Sequence, residues 1–319
     1  MVTINQTLLT FGPVPSRRLG RSLGINNIPP KCCSYSCVYC QVGRTREQEI
    51  MPRTFYQPEE IRHAVLAQVE AAHRAGETID YLTFVPDGEP TLDEHLGKMI
   101  DLLRPLGIKI AVISNSSLVW REDVQSRLCK ADWVSLKVDA VDEVIWQQVN
   151  RPHEELQLSD ILQGIERFAK QFQGELCTET MLVEGINDSQ ESVVAVTEFL
   201  AKIKPHKAYL SIPTRPPAEV NIHAPSEHVI NRAYQILQAK VPAVEYLIGY
   251  EGDAFAFTGN AERDLLSITA VHPMREEAVN ELLIKAGKDW DLMQRLLTEG
   301  KLKQVDFSGA HFYVRCLHH

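Results

Sequence analysis

The amino-acid sequence predicts an α/β fold: a partial (β/α)6-type TIM barrel over residues 1–262, then a small winged-helix-like domain over residues 263–319. Three observations carry this expectation. Short apolar runs alternate with helix-like segments along most of the chain, the pattern of βα units and a mostly parallel sheet. A length of 319 residues with 44% hydrophobic side chains fits one large α/β domain with a small appendage. From about residue 265 the alternation stops, and two helices followed by a hairpin replace it.

Taken in order, strands are expected over residues 22–27, 81–85, 109–114, 133–138, 176–183, 208–212 and 244–248. Between the first two, residues 58–75 place Ile61, Val65, Leu66, Val69 and Ala72 at helical spacing. Ser159 is expected to cap a helix running to Gln171, with Leu162, Ile165 and Phe168 on one face. Ser189 is expected to cap the next, ahead of Val193 and Phe199. Six or seven such units make a full or partial barrel, whose chemistry gathers at the C-terminal ends of its strands. The Pro-rich segment 212–218 reads as a rigid loop at the mouth of the site.

In the C-terminal part, a helix over residues 276–286 closes at Gly287, and Asp289 caps a second one running to Thr298 before Gly300. Residues 302–307 and 310–317 then alternate around Ser308-Gly309 as a hairpin does. Residues 265–319 contain seven basic and seven acidic side chains, a net charge of zero. A protein-contact or lid role therefore fits this module better than reading DNA.

The whole chain carries 33 basic against 42 acidic residues, a net charge of -9 with histidine neutral, which disfavours broad electrostatic capture of nucleic acid. The N-terminus lacks a basic stretch followed by an apolar core, so no signal peptide is expected. No run of about 18 apolar residues suggests a membrane span. Seven cysteines, an odd number in a chain without an export signal, point to a reducing cytoplasm and not to a disulfide framework.

Four of the seven, Cys32, Cys33, Cys37 and Cys40, fall within nine residues. Cys33, Cys37 and Cys40 have Cys-x3-Cys-x2-Cys spacing, which puts three thiolates on one tight loop, enough for three corners of a four-iron cluster. Such clusters usually take four cysteines, so a set of three leaves one iron open to chemistry. Cys32 and Cys33 compete for the first position, and the spacing selects Cys33; Cys32 is then a neighbouring thiol or a small buried residue. The zinc alternative needs a fourth ligand, usually from a second pair. The sequence has no such pair, and Cys129 and Cys177 fall in helix and strand patterns typical of buried cysteine.

Further motifs follow in order: Tyr39 just before the last cysteine, a strand ending in Gly88-Glu89-Pro90, the strand end Ser114-Asn115-Ser116, and Ser135, Lys137 and Asp139 along another strand. With the cysteine loop, this ordered set resembles the radical S-adenosylmethionine (SAM) superfamily. Finer features are the upstream segment 11–26 with Arg17, Arg18 and Arg21, the loop closure Gln41-Val42-Gly43, the run Asn150-Arg151-Pro152-His153, and the strand end with Gly185 and Asn187. These resemble the branch of iron–sulfur oxidoreductases grouped with the wyosine tRNA-modifying synthases. The likeness spans roughly residues 11–260. The wyosine synthases carry additional upstream cysteines, whereas residues 1–31 contain none.

The resemblance implies a 4Fe-4S cluster on Cys33, Cys37 and Cys40, with S-adenosyl-L-methionine chelating the open iron. One electron then releases methionine and a 5′-deoxyadenosyl radical, which abstracts hydrogen from a substrate. It implies that Gly88, Glu89 and Pro90 meet the methionine ammonium, through the Glu89 carboxylate or adjacent carbonyls. Ser114 and Asn115 would meet the ribose or the methionine carboxylate, and Gly185, Asn187 and the Tyr39 backbone would bracket the adenine. Ser135, Lys137 and Asp139 share a strand face that points into the barrel, where a lysine and an aspartate are costly unless paired or used. Lys137, with Ser135, is assigned to SAM; Lys137, Asp139 and Arg151 are the catalytic candidates.

Each motif also has an ordinary structural reading. Gly-Glu-Pro alone is a strand-to-helix turn, small polar residues at strand ends cap helices, Lys137 and Asp139 can form an ion pair, and Arg151 can form a surface salt bridge. The arginine cluster can hold an anion at the site mouth or lie on a solvated face. Lys31 borders the cysteines, where it can tune their charge, and Schiff-base chemistry is open to it. Cys316, His318 and His319 could bind a soft metal.

The sequence thus predicts a cytoplasmic radical SAM enzyme. Its expected partners are a small-molecule or tRNA substrate and a low-potential electron donor such as flavodoxin or ferredoxin, with no membrane. The rival readings are a tRNA guanosine modifier, a non-enzymatic iron–sulfur electron-transfer or metal-binding protein, and an enzyme that makes an aminocarboxypropyl radical from SAM.

Overall fold

The structure, a computed structural model, describes residues 9–45, 47–248 and 255–316. An eight-stranded sheet organises most of the chain. It opens with the hairpin β1 (Thr10–Ser16) and β2 (Gly20–Ile25). Gly20 turns this hairpin at φ +65°, and a Cβ there would lie 2.4 Å from the Asp80 carboxylate. A two-residue pair, β3 (Cys32–Cys33) and β4 (Glu47–Gln48), brackets the cysteine loop. Then follow α1 (Pro58–Arg74), β5 (Tyr81–Phe84), α2 (Leu96–Leu103), β6 (Lys109–Ser114), α3 (Glu122–Leu128) and β7 (Trp133–Lys137). The unit continues with α4 (Glu143–Asn150), α5 (Leu158–Gln171), β8 (Glu175–Met181), α6 (Gln190–Ile203), β9 (Lys207–Ser211), α7 (Glu227–Gln238) and β10 (Val244–Leu247).

The sheet order is β1-β2-β5-β6-β7-β8-β9-β10, with only the β1–β2 pair antiparallel. Because β1 and β10 both end the order, the sheet is a curled half-barrel. All seven expected strands are present. β1 is the addition: Pro13 and Pro15 break its pattern, and an edge strand tolerates them because only one side of it is paired.

Alternation along each strand sorts its side chains. On β7, Val134 and Leu136 join the large core under the helices, while Trp133 packs inside the barrel with Ala111, Cys177 and Tyr209. α1 starts at Pro58, with Gln57 and Glu60 exchanging capping hydrogen bonds, and buries Ile61, Val65, Val69 and Ala72. Each fully buried valine or isoleucine side chain here contributes about 1.5–3 kcal/mol. Ser189 caps α6 by accepting the Ser192 N–H at 3.1 Å, as expected. Ser159 does not cap α5: the helix begins at Leu158 after Gln157, which places the serine inside the first turn. Cys129 is exposed at the end of α3, contrary to the buried position its pattern suggested, whereas Cys177 is buried.

Beyond residue 260 lie α8 (Ala261–Val271), β11 (Met274–Arg275), α9 (Glu276–Lys285), α10 (Asp291–Thr298), β12 (Leu302–Phe307) and β13 (Ala310–Arg315). The last two form the expected hairpin, and β11 adds to β13 to give a sheet of order β11-β13-β12. Asp289 accepts the Asp291 N–H at 3.2 Å from one position outside the cap, which is Trp290. Leu265, Ile268, Met274, Leu282 and Met293 share one core with Phe11 and Val14 of β1, so the half-barrel's edge strand is the seat of this module. Lys285 also pairs with Glu77 in the turn after α1. Residues 317–319, with His318 and His319, lie outside the described residues. Among the described residues, no helix is long and apolar enough to cross a membrane.

Candidate functional site

The loop after β2 carries the cysteines over the C-terminal edge of the sheet. It lies directly on the turn after β5: Glu89 N donates to the Cys32 carbonyl at 3.2 Å and Lys31 N to the Asp87 carbonyl at 2.6 Å. A Cβ on Gly88 would lie 1.8 Å from the Cys32 carbonyl oxygen, so the approach requires glycine. Cys33, Cys37 and Cys40 line a cavity of about 280 Å³ whose walls include Lys31, Tyr39, Asp87, Gly88, Ser114, Asn115, Lys137 and Glu179.

The Asn115 amide sits 3.4 Å from Cys33 Sγ, and the Asn150 amide 3.4 Å from Cys37 Sγ. Burial pushes all three thiols up, Cys37 to about 12, with nearby carboxylates adding to the effect on Cys33 and Cys37. Such thiols ionise only when a cationic metal centre draws off their protons. Three thiols from one loop lining one cavity are a soft donor set of the kind that holds an iron–sulfur cluster.

Glu89 is fully buried and takes four donors: Thr91 N and Oγ1, Ser114 Oγ at 2.8 Å and Asn115 N at 2.7 Å. Its carboxylate thus ties the β5 turn to the end of β6 and does not line the cavity, which leaves Gly88 and nearby backbone for a ligand. Pro90 lies beneath, its carbonyl accepting Asn27 Nδ2 at 3.0 Å. Ser114 and Asn115 both line the cavity.

Asp139 lies behind the cysteine loop. Its carboxylate accepts the Tyr39 hydroxyl, Asn150 Nδ2 at 2.8 Å and Met181 N at 2.8 Å, so it braces the cysteine loop from outside the cavity. Arg151 points elsewhere. It ends α4 at φ +44° and pairs with Glu219 at 2.6 Å, away from the cavity. Ser135 is buried and does not reach the cavity wall. Gly185 turns at φ +69°, and Asn187 donates to the Asp139 and Met181 carbonyls at 2.8 Å each; neither residue lines the cavity.

Lys137 does face the cavity. Its Nζ lies 3.1 Å from Glu179 and 4.7 Å from the centre of the Tyr39 ring. Glu179 also receives Arg18 and, at 3.0 Å, Ser211 Oγ. Burial alone would raise the Glu179 carboxyl, but Lys137 and Arg18 bring it down to about 2. Burial alone would likewise lower Lys137, and Glu179 with Asp139 reverses that shift. Asp87 is 4% exposed, and its Oδ1 has no hydrogen-bond partner among the described residues. Burial pushes this carboxyl up to about 8, against Lys31 and Arg315. Arg215, on the Pro-rich loop, donates to Gln41 at 2.8 Å and contacts His272 Nε2 of the C-terminal module at 3.0 Å.

Sequence reasoning missed Glu179, Asn150, Asp87 and Arg215 as site residues. Lys137 and Glu179 are register partners on β7 and β8, so strand pairing was the available signal for Glu179.

A half-barrel sheet with a three-cysteine loop over its C-terminal edge is the architecture of a radical enzyme built on iron and sulfur. Residues 27–196 match the Radical SAM superfamily, and the chain belongs to it. It is 48% identical over 309 residues to the UPF0026 protein MJ1312 of Methanocaldococcus jannaschii, covering 96% of each chain. A UPF0026 protein of Helicobacter pylori is 35% identical over 211 residues, 65% of this chain and 67% of that one. Among solved structures, a radical SAM methyltransferase from Sphaerobacter thermophilus superposes with a TM-score of 0.55 at 20% identity, covering 70% of this chain and 66% of that one. TYW1 with a lysine-pyruvate adduct bound gives 0.54 at 19%, covering 69% and 74%. These two structures share the fold. The protein is an enzyme, and its cofactors are a 4Fe-4S cluster and SAM.

Proposed function

We propose that Cys33, Cys37 and Cys40 hold the cluster and that SAM occupies the 280 Å³ cavity beside them. One observation carries the assignment: the three cysteines line one cavity at the strand ends, and asparagine amides from two other elements point at two of their sulfurs. When bound, the cluster supplies one electron to the sulfonium of SAM and so starts radical chemistry.

The chain's own residues position and shield that reaction. Gly88 lets the backbone come close to the ligand, while Glu89 holds Ser114 and Asn115 in place from behind. Asp139 fixes Tyr39 and Asn150, and through them Cys37. Lys137, Glu179, Arg18 and Ser211 form a charged wall with its partners already in place, suited to orienting a polar substrate without reorganisation. The order α8-β11-α9-α10-β12-β13 supports a winged-helix module over residues 263–319, and the Arg215–His272 contact makes it a cover for the mouth. Seven cysteines with no disulfide among the described residues suit a reducing compartment such as the cytoplasm.

The test is to reduce the anaerobically prepared protein and incubate it with SAM. Production of 5′-deoxyadenosine supports the reading, and methylthioadenosine moves the cleavage to the other side of the sulfonium. No turnover of SAM by cluster-loaded protein overturns it.

A further inference from the structure

The wall of the SAM cavity carries a charge of its own. Among the described residues it has five cationic side chains, Arg17, Arg18, Lys31, Lys137 and Arg215, against the two carboxylates Asp87 and Glu179, a surplus of three positive charges. The whole chain is net -9, so this surplus is local to the cavity. The cations come from four separate elements: the turn between β1 and β2, the cysteine loop, β7 and the Pro-rich loop after β9.

Part of this surplus is withdrawn from water. The side chains of Arg18 and Lys137 are mostly buried and both rest on the one carboxylate of Glu179, so these three groups together carry one net positive charge. Arg215 is held from two sides, donating to Gln41 beside Cys40 and contacting His272 of the C-terminal module. Cations taken out of water cost free energy unless an opposite charge completes the site. Fixed guanidinium groups suit paired hydrogen bonds to a carboxylate or a phosphate.

The cofactors leave the surplus as it is. SAM has a sulfonium, an ammonium and one carboxylate, so it enters the cavity as a net cation. The oxidised cluster on three thiolates carries one net negative charge, which that cation cancels. The positive wall is therefore matched to a further occupant and not to SAM.

We propose that the substrate carries an anionic group, a carboxylate or a phosphate, that docks on Arg18, Lys137 and Arg215 once SAM is in place. The inference rests on the cluster and SAM assignment above and adds the sign of the substrate's charge to it. Glu179 keeps Arg18 and Lys137 fixed, and the anion takes the charge that this carboxylate leaves over. A neutral molecule of the same shape gains nothing from the surplus.

In the experiment, oxidised cluster-loaded protein is saturated with SAM and titrated by calorimetry with malonate, with inorganic phosphate and with the neutral malonamide. The expected result is saturable binding of malonate or phosphate, none of malonamide, and an anion affinity that falls as chloride is raised. The tighter of the two anions identifies the substrate's group. Arg215→Gln should weaken that anion at least about tenfold while SAM still binds, and Arg215→Lys should restore most of the loss. Arg18→Gln, with its Tm measured to show that it folds, is the second variant. No saturable anion binding, equal binding of malonamide, or native anion affinity in both glutamine variants overturns the anionic substrate, while SAM binding and cleavage still stand. A cluster-loaded protein that binds no SAM overturns both readings.

Discussion

Glu179 is the best place to test the charged wall of the cavity. Its carboxylate receives Lys137 at 3.1 Å, Ser211 at 3.0 Å and the Arg18 guanidinium, and its side chain is 9% exposed. Although burial pulls the other way, the two cations hold its pKa at about 2 instead of 4.5. At about 1.36 kcal/mol per pH unit, that displacement is worth about 3 kcal/mol of stability. Glu179→Gln keeps the shape and removes the charge, leaving Lys137 without an ion-pair partner among the described residues. The expected loss at neutral pH is therefore about 3 kcal/mol, or roughly 6–12 °C in Tm. The sign with pH is fixed by a depressed carboxyl. Its contribution is present above pH 4.5 and disappears as pH falls toward about 2, so the native and variant curves should converge on acidification. Thermal unfolding followed by circular dichroism across that range is the assay. A double variant with Lys137→Gln should lose less than the two single losses together, because the pair is coupled. A Glu179→Gln variant within roughly 0.5 kcal/mol of native, or strict additivity with Lys137→Gln, would refute the argument.

Three further outcomes are expected. Gly88→Ala should cost about 1–3 kcal/mol and lower iron per chain, since the new Cβ would lie 1.8 Å from the Cys32 carbonyl; Tm and iron analysis check it. Cys32→Ala should keep its iron and Cys33→Ala should lose it, because Cys33 lines the cavity and Cys32 is packed in the core; iron content and visible absorbance separate them. His272 is held neutral by burial and by the nearby Arg215 charge, well below its ordinary 6.5. The unfolded imidazole therefore takes up a proton that the folded one refuses, so stability should be flat above about pH 6.5 and fall by up to about 1.36 kcal/mol per unit below it. His272→Gln should lack that slope in Tm measured between about pH 7.5 and about pH 5.5.

The seven parallel strands were legible because each is an apolar run of strand length set between helical segments. β1 was not, since Pro13 and Pro15 remove the pattern that marks a strand and only the pairing with β2 reveals it. The cysteine loop was legible because its chemistry is local: Cys33, Cys37 and Cys40 are close in sequence and line one cavity. The carboxylates drew attention for a sound reason, but their roles depend on distant donors. Glu89 and Asp139 are buried among N–H and O–H groups and are spent on bracing, while Glu179, which carried no motif, faces the cavity. In the run Asn150-Arg151 the candidate was Arg151, yet its side chain meets Glu219 while Asn150 meets Cys37. Both partners are distant in sequence, so the run itself does not tell which neighbour faces the cysteines.

The central claim is that three thiols from one loop leave one iron of the cluster free for SAM. Mössbauer spectra of iron-isotope-enriched protein, taken with and without SAM, test it most directly. One iron of the four should change its isomer shift when SAM is added, while the other three stay as they were. Four irons that ignore SAM, or a protein that binds zinc in place of iron, would contradict the account.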